Sequence, residues 1–156
     1  MINYIYFYKN NSKYGFLSQF YKCKFIENDI IFNSAEQYMM YNKAKLFNNI
    51  ILANKILKET NPSIVKKYGR QVINFNEEIW TKHREEIVYN GNILKFTQNL
   101  ELLELLKKTE GNILVETAQY DNIWGIGITI KEGKSGISWN GLNLLGNILM
   151  KVRDNI

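Results

Sequence analysis

Three helix-start signals lie close together in the first half of the chain, and they constrain its fold more than any other feature. Ser34 is followed three residues later by Gln37, which is a capping-box pattern. Asn61 precedes Pro62, and proline is favoured at the first position of a helix. Asn76 precedes two glutamates and starts a third helix. Three helices in such a short stretch make a mainly helical core for this part of the chain.

Alternating apolar and polar residues on both sides of these helices predict short strands. In chain order, we expect a strand over 4–8, a hairpin from 21–25 and 30–32, helices over 34–47, 61–69 and 76–89, a helix over 100–108, a strand over 113–117, a hairpin over 126–136, and a helix from 141 or 142 to 153. Gly69, Gly91 and Gly111 are read as stops. The chain of 156 residues is therefore predicted to be one helix-rich α+β domain, residues 1–156, with small antiparallel β elements.

The charge balance is basic, with twenty Lys and Arg against fifteen Asp and Glu, giving a net charge of +5. Two explanations stay open: a compositional bias toward Lys, Asn and Ile, or a surface that attracts nucleic acid or phosphates. Arg70, Arg84 and Arg153 are the three arginines. Each arginine is either placed for its forked hydrogen-bonding geometry or engaged in structural ion pairing.

One cysteine, Cys23, and one histidine, His83, exclude an intramolecular disulfide and make a Cys/His zinc site implausible. The lysine-flanked setting of Cys23 is typical of a strand rather than of a nucleophile. The first residues, 1–8, are too short an apolar segment for a signal sequence, and the longest apolar runs elsewhere are four or five residues. We expect a cytoplasmic protein that does not bind membranes.

The helix after Ser34 carries two opposite charges on one stripe. Glu36, Met40, Lys43 and Phe47 follow steps of four and three, which keeps them on one helical face. Charges on a buried stripe are costly unless they are paired or used. The alternative interpretation is that this stripe faces water.

A second candidate region is the segment 116–127, which contains Glu116, Asp121 and Trp124. A carboxylate beside an aromatic ring in a loop suits a base or sugar ring that is stacked and attacked. The structural alternative is an Asx-turn at Asp121 with a core tryptophan.

A third candidate region is the Gly/Asn-rich segment 139–146, which leads into the last helix. Backbone N–H groups at a helix N-terminus suit an anion such as a phosphate. The segment lacks the Gly-Lys-Ser/Thr ending of a P-loop and the GxGxxG of a dinucleotide site.

The motifs together, taken in order, resemble a known family. The series is Phe16-Leu17-Ser18-Gln19-Phe20, Ser34-Ala35-Glu36-Gln37-Tyr38 with Lys43-Ala44, Gly69-Arg70, Trp80, Arg84, Lys95-Phe96-Thr97-Gln98-Asn99, Leu105-Leu106 with Thr109 and Gly111, Glu116, Asp121-Asn122-Ile123-Trp124-Gly125-Ile126-Gly127, Trp139 to Gly146, Leu149-Met150 and Arg153. This series is similar to that of the NADAR, or YbiA-like, family of N-glycosidases, over residues 6–153.

The resemblance implies hydrolysis of a ribosyl C1′–N bond without a metal or other cofactor. The expected substrate is ADP-ribose on guanine, in nucleic acid or in a nucleotide. Phosphoribosyl intermediates of the early riboflavin pathway are the alternative, and a non-catalytic ADP-ribose-binding module is a further one. Two departures from the family pattern are Gln19, where the family often has Asn, and Gln37, where many members have His.

The resemblance also implies roles for single residues. Glu36 or Asp121 is expected to stabilise the positive charge that builds on C1′, and Lys43 is expected to contact the leaving base or a phosphate. Phe20, Trp80 and Trp124 are expected to stack on the substrate, and Arg70 and Asn143 are expected to hold its phosphates. Gly125, which follows Trp124, is also expected to contact the substrate.

Overall fold

The computed structural model describes residues 1–9 and 12–156. The sequence also predicts a turn over 9–13, and residues 10 and 11 of that turn lie outside the described residues. Within them the protein is α+β, as predicted. Its elements are β1 (Asn3–Phe7), a 3-10 helix (Gly15–Leu17), β2 (Phe25–Glu27), β3 (Ile30–Phe32), α1 (Ala35–Leu46), α2 (Ile50–Leu57), α3 (Pro62–Gly69), α4 (Glu77–Thr97), α5 (Leu100–Lys107), β4 (Asn112–Glu116), α6 (Ile130–Lys134) and α7 (Leu144–Asn155). No helix in this described part combines the length and apolarity that a membrane crossing requires.

The chain forms two compact units, which are described separately. The central unit comprises residues 22–99, and the terminal unit comprises residues 1–21 and 100–156. The assignment of one domain to residues 1–156 stays a prediction.

The terminal unit is built on a parallel pair of strands. β1 pairs with β4 over five residues, from Asn3 opposite Asn112 to Phe7 opposite Glu116. Parallel pairing requires a long connection, and here the whole central unit lies between the two strands in sequence. This parallel pair was not predicted, although the expected antiparallel β element is present in β2 and β3. Helix α7 packs on β4.

The predicted hairpin over 126–136 is wrong. Gly127 has a φ of +71°, which interrupts an extended backbone, and Thr129 then caps α6 by accepting a hydrogen bond from the N–H of Glu132. The alternation of Ile126 and Ile128 has a different cause, because both side chains are buried with Val115 in one cluster.

The central unit contains the predicted hairpin, although its first strand lies at 25–27 rather than 21–25, and the helices that pack around α1. β2 and β3 are antiparallel, with Phe25 opposite Phe32. Asn28 and Asp29, at the turn, have φ values of +50° and +63°, as a two-residue hairpin requires. The rings of Phe25 and Phe32 lie against that of Tyr38 on α1. Helices α2, α3 and α4 all contact α1, so α1 is the core helix of the unit.

Two helices of this unit differ from the prediction. Helix α2 was not predicted, and the side chain of Asn49 at its N-cap makes no capping hydrogen bond. Helix α4 continues past Gly91 to Thr97. A Cβ on Gly91 would lie 2.6 Å from Cδ1 of Tyr38, so this glycine allows two helices to approach rather than ending one.

Replacing Gly91 by Ala tests this packing. Alanine in a helix is normally favoured over glycine by about 1 kcal/mol, but the added methyl overlaps a buried ring. We expect a net loss of about 1–3 kcal/mol in the free energy of unfolding, measured by urea denaturation. Gly133→Ala is the matched control, since its Cβ would meet no atom closer than 3.4 Å. A Gly91→Ala protein as stable as wild type would contradict the account.

Candidate active site

The first turn of α1 is fixed by hydrogen bonds on both sides. The Ser34 hydroxyl accepts from the N–H of Gln37 at 3.1 Å, which confirms the cap, and Gln37 Oε1 accepts from the N–H of Asn33 at 2.8 Å. The Gln37 amide Nε2 lies 3.1–3.3 Å from three carbonyl oxygens at the end of α2, those of Ile56, Leu57 and Glu59. Gln37 is fully buried, so this turn is a rigid base for the residue beside it.

That neighbouring residue is Glu36, which lies in the first turn of α1 and is only 5% exposed. The positive end of the helix dipole favours a negative charge at this position. On the same stripe Met40 is buried, and Lys43 and Phe47 are half-buried. The interpretation in which this stripe faces water is therefore wrong.

Lys43 places its ammonium beside two aromatic rings. Nζ lies 4.8 Å from the ring centre of Phe75 and 5.5 Å from that of Trp80, within the range of cation–π attraction. Burial lowers the pKa of Lys43, and the positive charge of Arg70 acts in the same direction. The carboxylates of Glu36 and Glu77 act against this lowering of the pKa. The site thus holds a partly desolvated cation close to a buried carboxylate.

Helix α4 supplies the ring beside Lys43. Asn76 caps it by accepting from the N–H of Ile79 at 3.0 Å, and Glu77, Trp80 and Arg84 then share one face. Trp80 is 6% exposed. Arg84 is also buried, its Nη1 lies 3.9 Å from Glu77, and its Nε has no hydrogen-bond partner among the described residues. A buried guanidinium with an unused donor suits an anionic ligand.

The central unit therefore brings together four of the predicted site residues: Glu36, Lys43, Arg70 and Trp80. Arg70 is exposed at the end of α3, and its effect on the pKa of Lys43 places its charge nearby. Sequence reasoning missed Phe75 and Glu77. It named Arg84 as one of three arginines and as part of the family motif series, without giving it a role in the site.

The remaining predicted site residues lie in the terminal unit. Asp121 Oδ1 accepts from the N–H groups of Ile123 and Trp124 at 3.0 and 2.9 Å. These bonds form the Asx-turn of the structural alternative. Trp124 and Phe20 are half-buried. A role for Asp121, Trp124 or Phe20 with substrate stays a prediction.

Four backbone N–H groups of the loop before α7 are already paired. Those of Leu142, Asn143, Leu144 and Leu145 donate to carbonyl oxygens of residues 122–125 at 2.9–3.1 Å. The expectation that they bind a phosphate is therefore wrong. Gly125 is buried, and a Cβ there would lie 2.9 Å from that of Ala118, so close packing explains the glycine.

Asn143 fastens this loop to β4. Its Nδ2 donates to the carbonyl of Leu114 at 2.9 Å, and its Oδ1 accepts from the N–H of Glu116 at 3.0 Å. Its φ of +51° is left-handed, a conformation that asparagine tolerates. These bonds give Asn143 a structural role, and a substrate contact by it stays a prediction.

The central unit also contains a half-buried thiol, that of Cys23, and a buried amine, that of Lys95, outside the candidate site. Burial raises the pKa of the Cys23 thiol, which disfavours the thiolate that a nucleophile needs. Burial lowers the pKa of Lys95 to about 8. Among the described residues, no group of three or more His, Cys, Asp or Glu side chains is arranged to hold a metal ion.

Comparison with known proteins places this geometry in a family context. The family model of the NADAR domain matches residues 6–156. The chain is 45% identical over 123 residues to an N-glycosidase of Acanthamoeba polyphaga mimivirus, covering 78% of this chain and 72% of that protein. It is 30% identical to a riboflavin biosynthesis protein of Vibrio vulnificus, covering 97% of this chain and 38% of that longer protein. The NMR structure of the Escherichia coli protein YbiA superposes with a TM-score of 0.81 at 26% identity, covering 99% of this chain and 86% of YbiA.

Proposed function

Because the chain belongs to the NADAR family and is an N-glycosidase, a hydrolase of N-glycosyl bonds, we propose that it removes ADP-ribose from guanine in nucleic acid or in a nucleotide. The observation that supports this proposal most is the arrangement in the central unit. It combines a buried carboxylate, a partly desolvated ammonium and two aromatic rings.

Cleavage of an N-glycosidic bond builds positive charge on C1′ and the ring oxygen, as water replaces the departing base. In the proposed mechanism the Glu36 carboxylate stabilises that charge and orients the attacking water. Its burial strengthens the interaction, because few water molecules screen the carboxylate. The comparison with O-glycosidases extends only to this electrostatic role.

Lys43 is proposed to donate a hydrogen bond or a proton to the departing base. A lowered pKa makes its ammonium a stronger acid than an exposed lysine. The Phe75 and Trp80 rings beside it suit a planar base, while Arg70 and Arg84 supply positive charge for phosphates.

The pH dependence of the reaction tests the role of Lys43. The active form is the protonated one, so kcat/KM should hold at neutral pH and fall as pH rises through a pKa below the ordinary value of 10.5. Lys43→Arg should move this alkaline limb upward, because a guanidinium stays charged, while Lys43→Met should lower the rate at every pH. If kcat/KM falls at the same alkaline pH in Lys43→Arg as in wild type, the fall is caused by another group and not by Lys43.

A second candidate function is hydrolysis of ribosylamino-pyrimidine intermediates of the riboflavin pathway. The match to the Vibrio vulnificus riboflavin biosynthesis protein, over nearly all of this chain, favours it. The two activities are compatible in one site, since both break a ribosyl C1′–N bond.

We also propose a reducing, cytoplasmic location, supported by the single free cysteine.

Product release separates these functions. The protein is incubated with an oligonucleotide that carries ADP-ribose on guanine and, separately, with the ribosylamino-pyrimidine phosphate, and products are followed by mass spectrometry. Release of ADP-ribose from the oligonucleotide is the expected result. Release from the pyrimidine alone would assign the second function, and binding without release in both would contradict N-glycosidase activity on these substrates.

A further inference from the structure

An open groove of about 980 Å³ lies beside the candidate site in the central unit. It is formed by the end of α1, the first turns of α2 and the segment between α3 and α4. None of the roles assigned above uses it. Its size exceeds what a single ribose and base fill, so it offers room for a further part of a substrate.

The walls of the groove are apolar and exposed. Ile51 is 89% exposed and Ile73 68%, and Ile50 and Ile79 are also exposed. A cluster of exposed isoleucines around one concave surface is typical of a binding surface rather than of ordinary protein surface.

The polar groups of the groove are amides and one cation. Asn48, Asn74 and Gln71 line it together with Lys55, and no carboxylate is found among the described residues that line it. Amides pair with the hydrogen-bonding edges of nucleobases, isoleucine contacts their faces, and a lysine attracts a phosphate. This combination matches a nucleotide better than a peptide or a cation.

The groove is preformed. Asn49 donates through Nδ2 to the carbonyls of Phe47 and Ile73 at 2.8 and 3.0 Å, and its Oδ1 accepts from the N–H of Ile73 at 2.9 Å. One side chain thus holds the α3–α4 segment against the end of α1. A ligand would enter a surface that needs little ordering, which favours affinity.

The groove is continuous with the candidate site. Phe47 lines it, and the Phe47 ring centre lies 5.4 Å from that of Phe75, whose ring in turn lies beside the Lys43 ammonium. A substrate whose reacting ribose lies near Lys43 therefore has a neighbouring nucleotide within reach of the groove.

We propose that this groove binds a second nucleotide of the substrate, through its base and phosphate. The inference rests on the proposed N-glycosidase function and deepens it. The occupant that we propose is the nucleotide that flanks the modified guanine in a strand, because the groove adjoins Phe75 and Lys43, which the proposed mechanism places beside that guanine.

The test is Ile73→Glu, which places a carboxylate in the groove and leaves Glu36, Lys43 and Trp80 intact. We expect KM to rise about tenfold or more for the ADP-ribosylated oligonucleotide at unchanged kcat, because the added charge repels a phosphate. Ile31→Glu on β3 is the matched control, since Ile31 is 56% exposed and does not line the groove. Ile73→Gln separates the charge from the lost apolar contact.

Three substrates identify the source. A KM increase with ADP-ribosylated guanosine monophosphate as well as with the oligonucleotide would contradict this occupant and assign the groove to the adenylate half of the ADP-ribose. An increase with the oligonucleotide alone assigns it to the flanking nucleotide, and the ribosylamino-pyrimidine phosphate should be unaffected. Equal KM values for Ile73→Glu and Ile31→Glu on both ADP-ribosyl substrates would overturn the inference.

Failure of the proposed function is a separate outcome, because wild-type protein would then release nothing. Fluorescence anisotropy with a labelled ADP-ribosylated oligonucleotide then decides the inference. Weaker binding by Ile73→Glu than by Ile31→Glu supports the groove, and equal binding overturns it.

Discussion

We expect Glu36→Gln to lower the rate of ribosyl hydrolysis on the order of a hundredfold or more. Glutamine keeps the shape of the side chain and the possibility of hydrogen bonding, but it removes the negative charge. Because Glu36 is buried in the first turn of α1, no mobile surface carboxylate replaces it. The measurement is kcat on whichever ribosyl substrate wild type turns over.

The loss should occur without unfolding, since removing a buried charge relieves its desolvation. Circular dichroism and the urea midpoint check that the fold is retained. Glu78→Gln is the matched control, because Glu78 is exposed on the same unit and forms a surface ion pair with Lys82 at 3.5 Å. Turnover by Glu36→Gln equal to that of Glu78→Gln would reject Glu36 as the catalytic carboxylate and leave Asp121 as the candidate.

Local signals predicted much of the fold. Ser34, Asn61 and Asn76 each predict the start of a helix, and the side chain of each accepts a backbone hydrogen bond at the start of that helix. These signals are predictive because a capping side chain accepts a hydrogen bond from a backbone N–H within three residues, so both partners lie in one short stretch of sequence.

Contacts over long sequence separations were not predictable in this way. The parallel pairing of β1 with β4 and the approach of Tyr38 to Gly91 depend on residues far apart in the chain. A glycine in a helix has the same local pattern whether it ends the helix or makes room for a neighbour. Only the position of Tyr38 distinguishes the two.

The candidate site shows the same difference between features set by local sequence and features set by distant contacts. The stripe with Glu36 and Lys43 follows from helical spacing, but its burial depends on the helices that pack around α1. Phe75 lies beside Lys43 although no periodic pattern marks it. The Gly/Asn-rich loop before α7 had the composition of an anion site, yet its N–H groups bind the carbonyls of residues 122–125. Composition shows which groups are present and not which are already paired.

Gln37→Ala should destabilise the central unit more than Gly91→Ala does. It removes a fully buried side chain that accepts from Asn33 and donates to carbonyls at the end of α2. Because the partners lose their hydrogen bonds inside the protein, we expect a loss of about 2–4 kcal/mol in the free energy of unfolding. Urea denaturation measures it, with Gln71→Ala, an exposed glutamine of the same unit, as the control.

Two further variants separate hydrogen bonding from volume. Gln37→Met keeps the length of the side chain but neither donates nor accepts well, so it should remain destabilised. Gln37→His should be less destabilised than Gln37→Met, because a neutral imidazole has one nitrogen that donates and one that accepts. It should also retain turnover, since position 37 then acts by joining α1 to α2. A Gln37→His protein of normal stability but changed kcat would instead place this side chain in the chemistry.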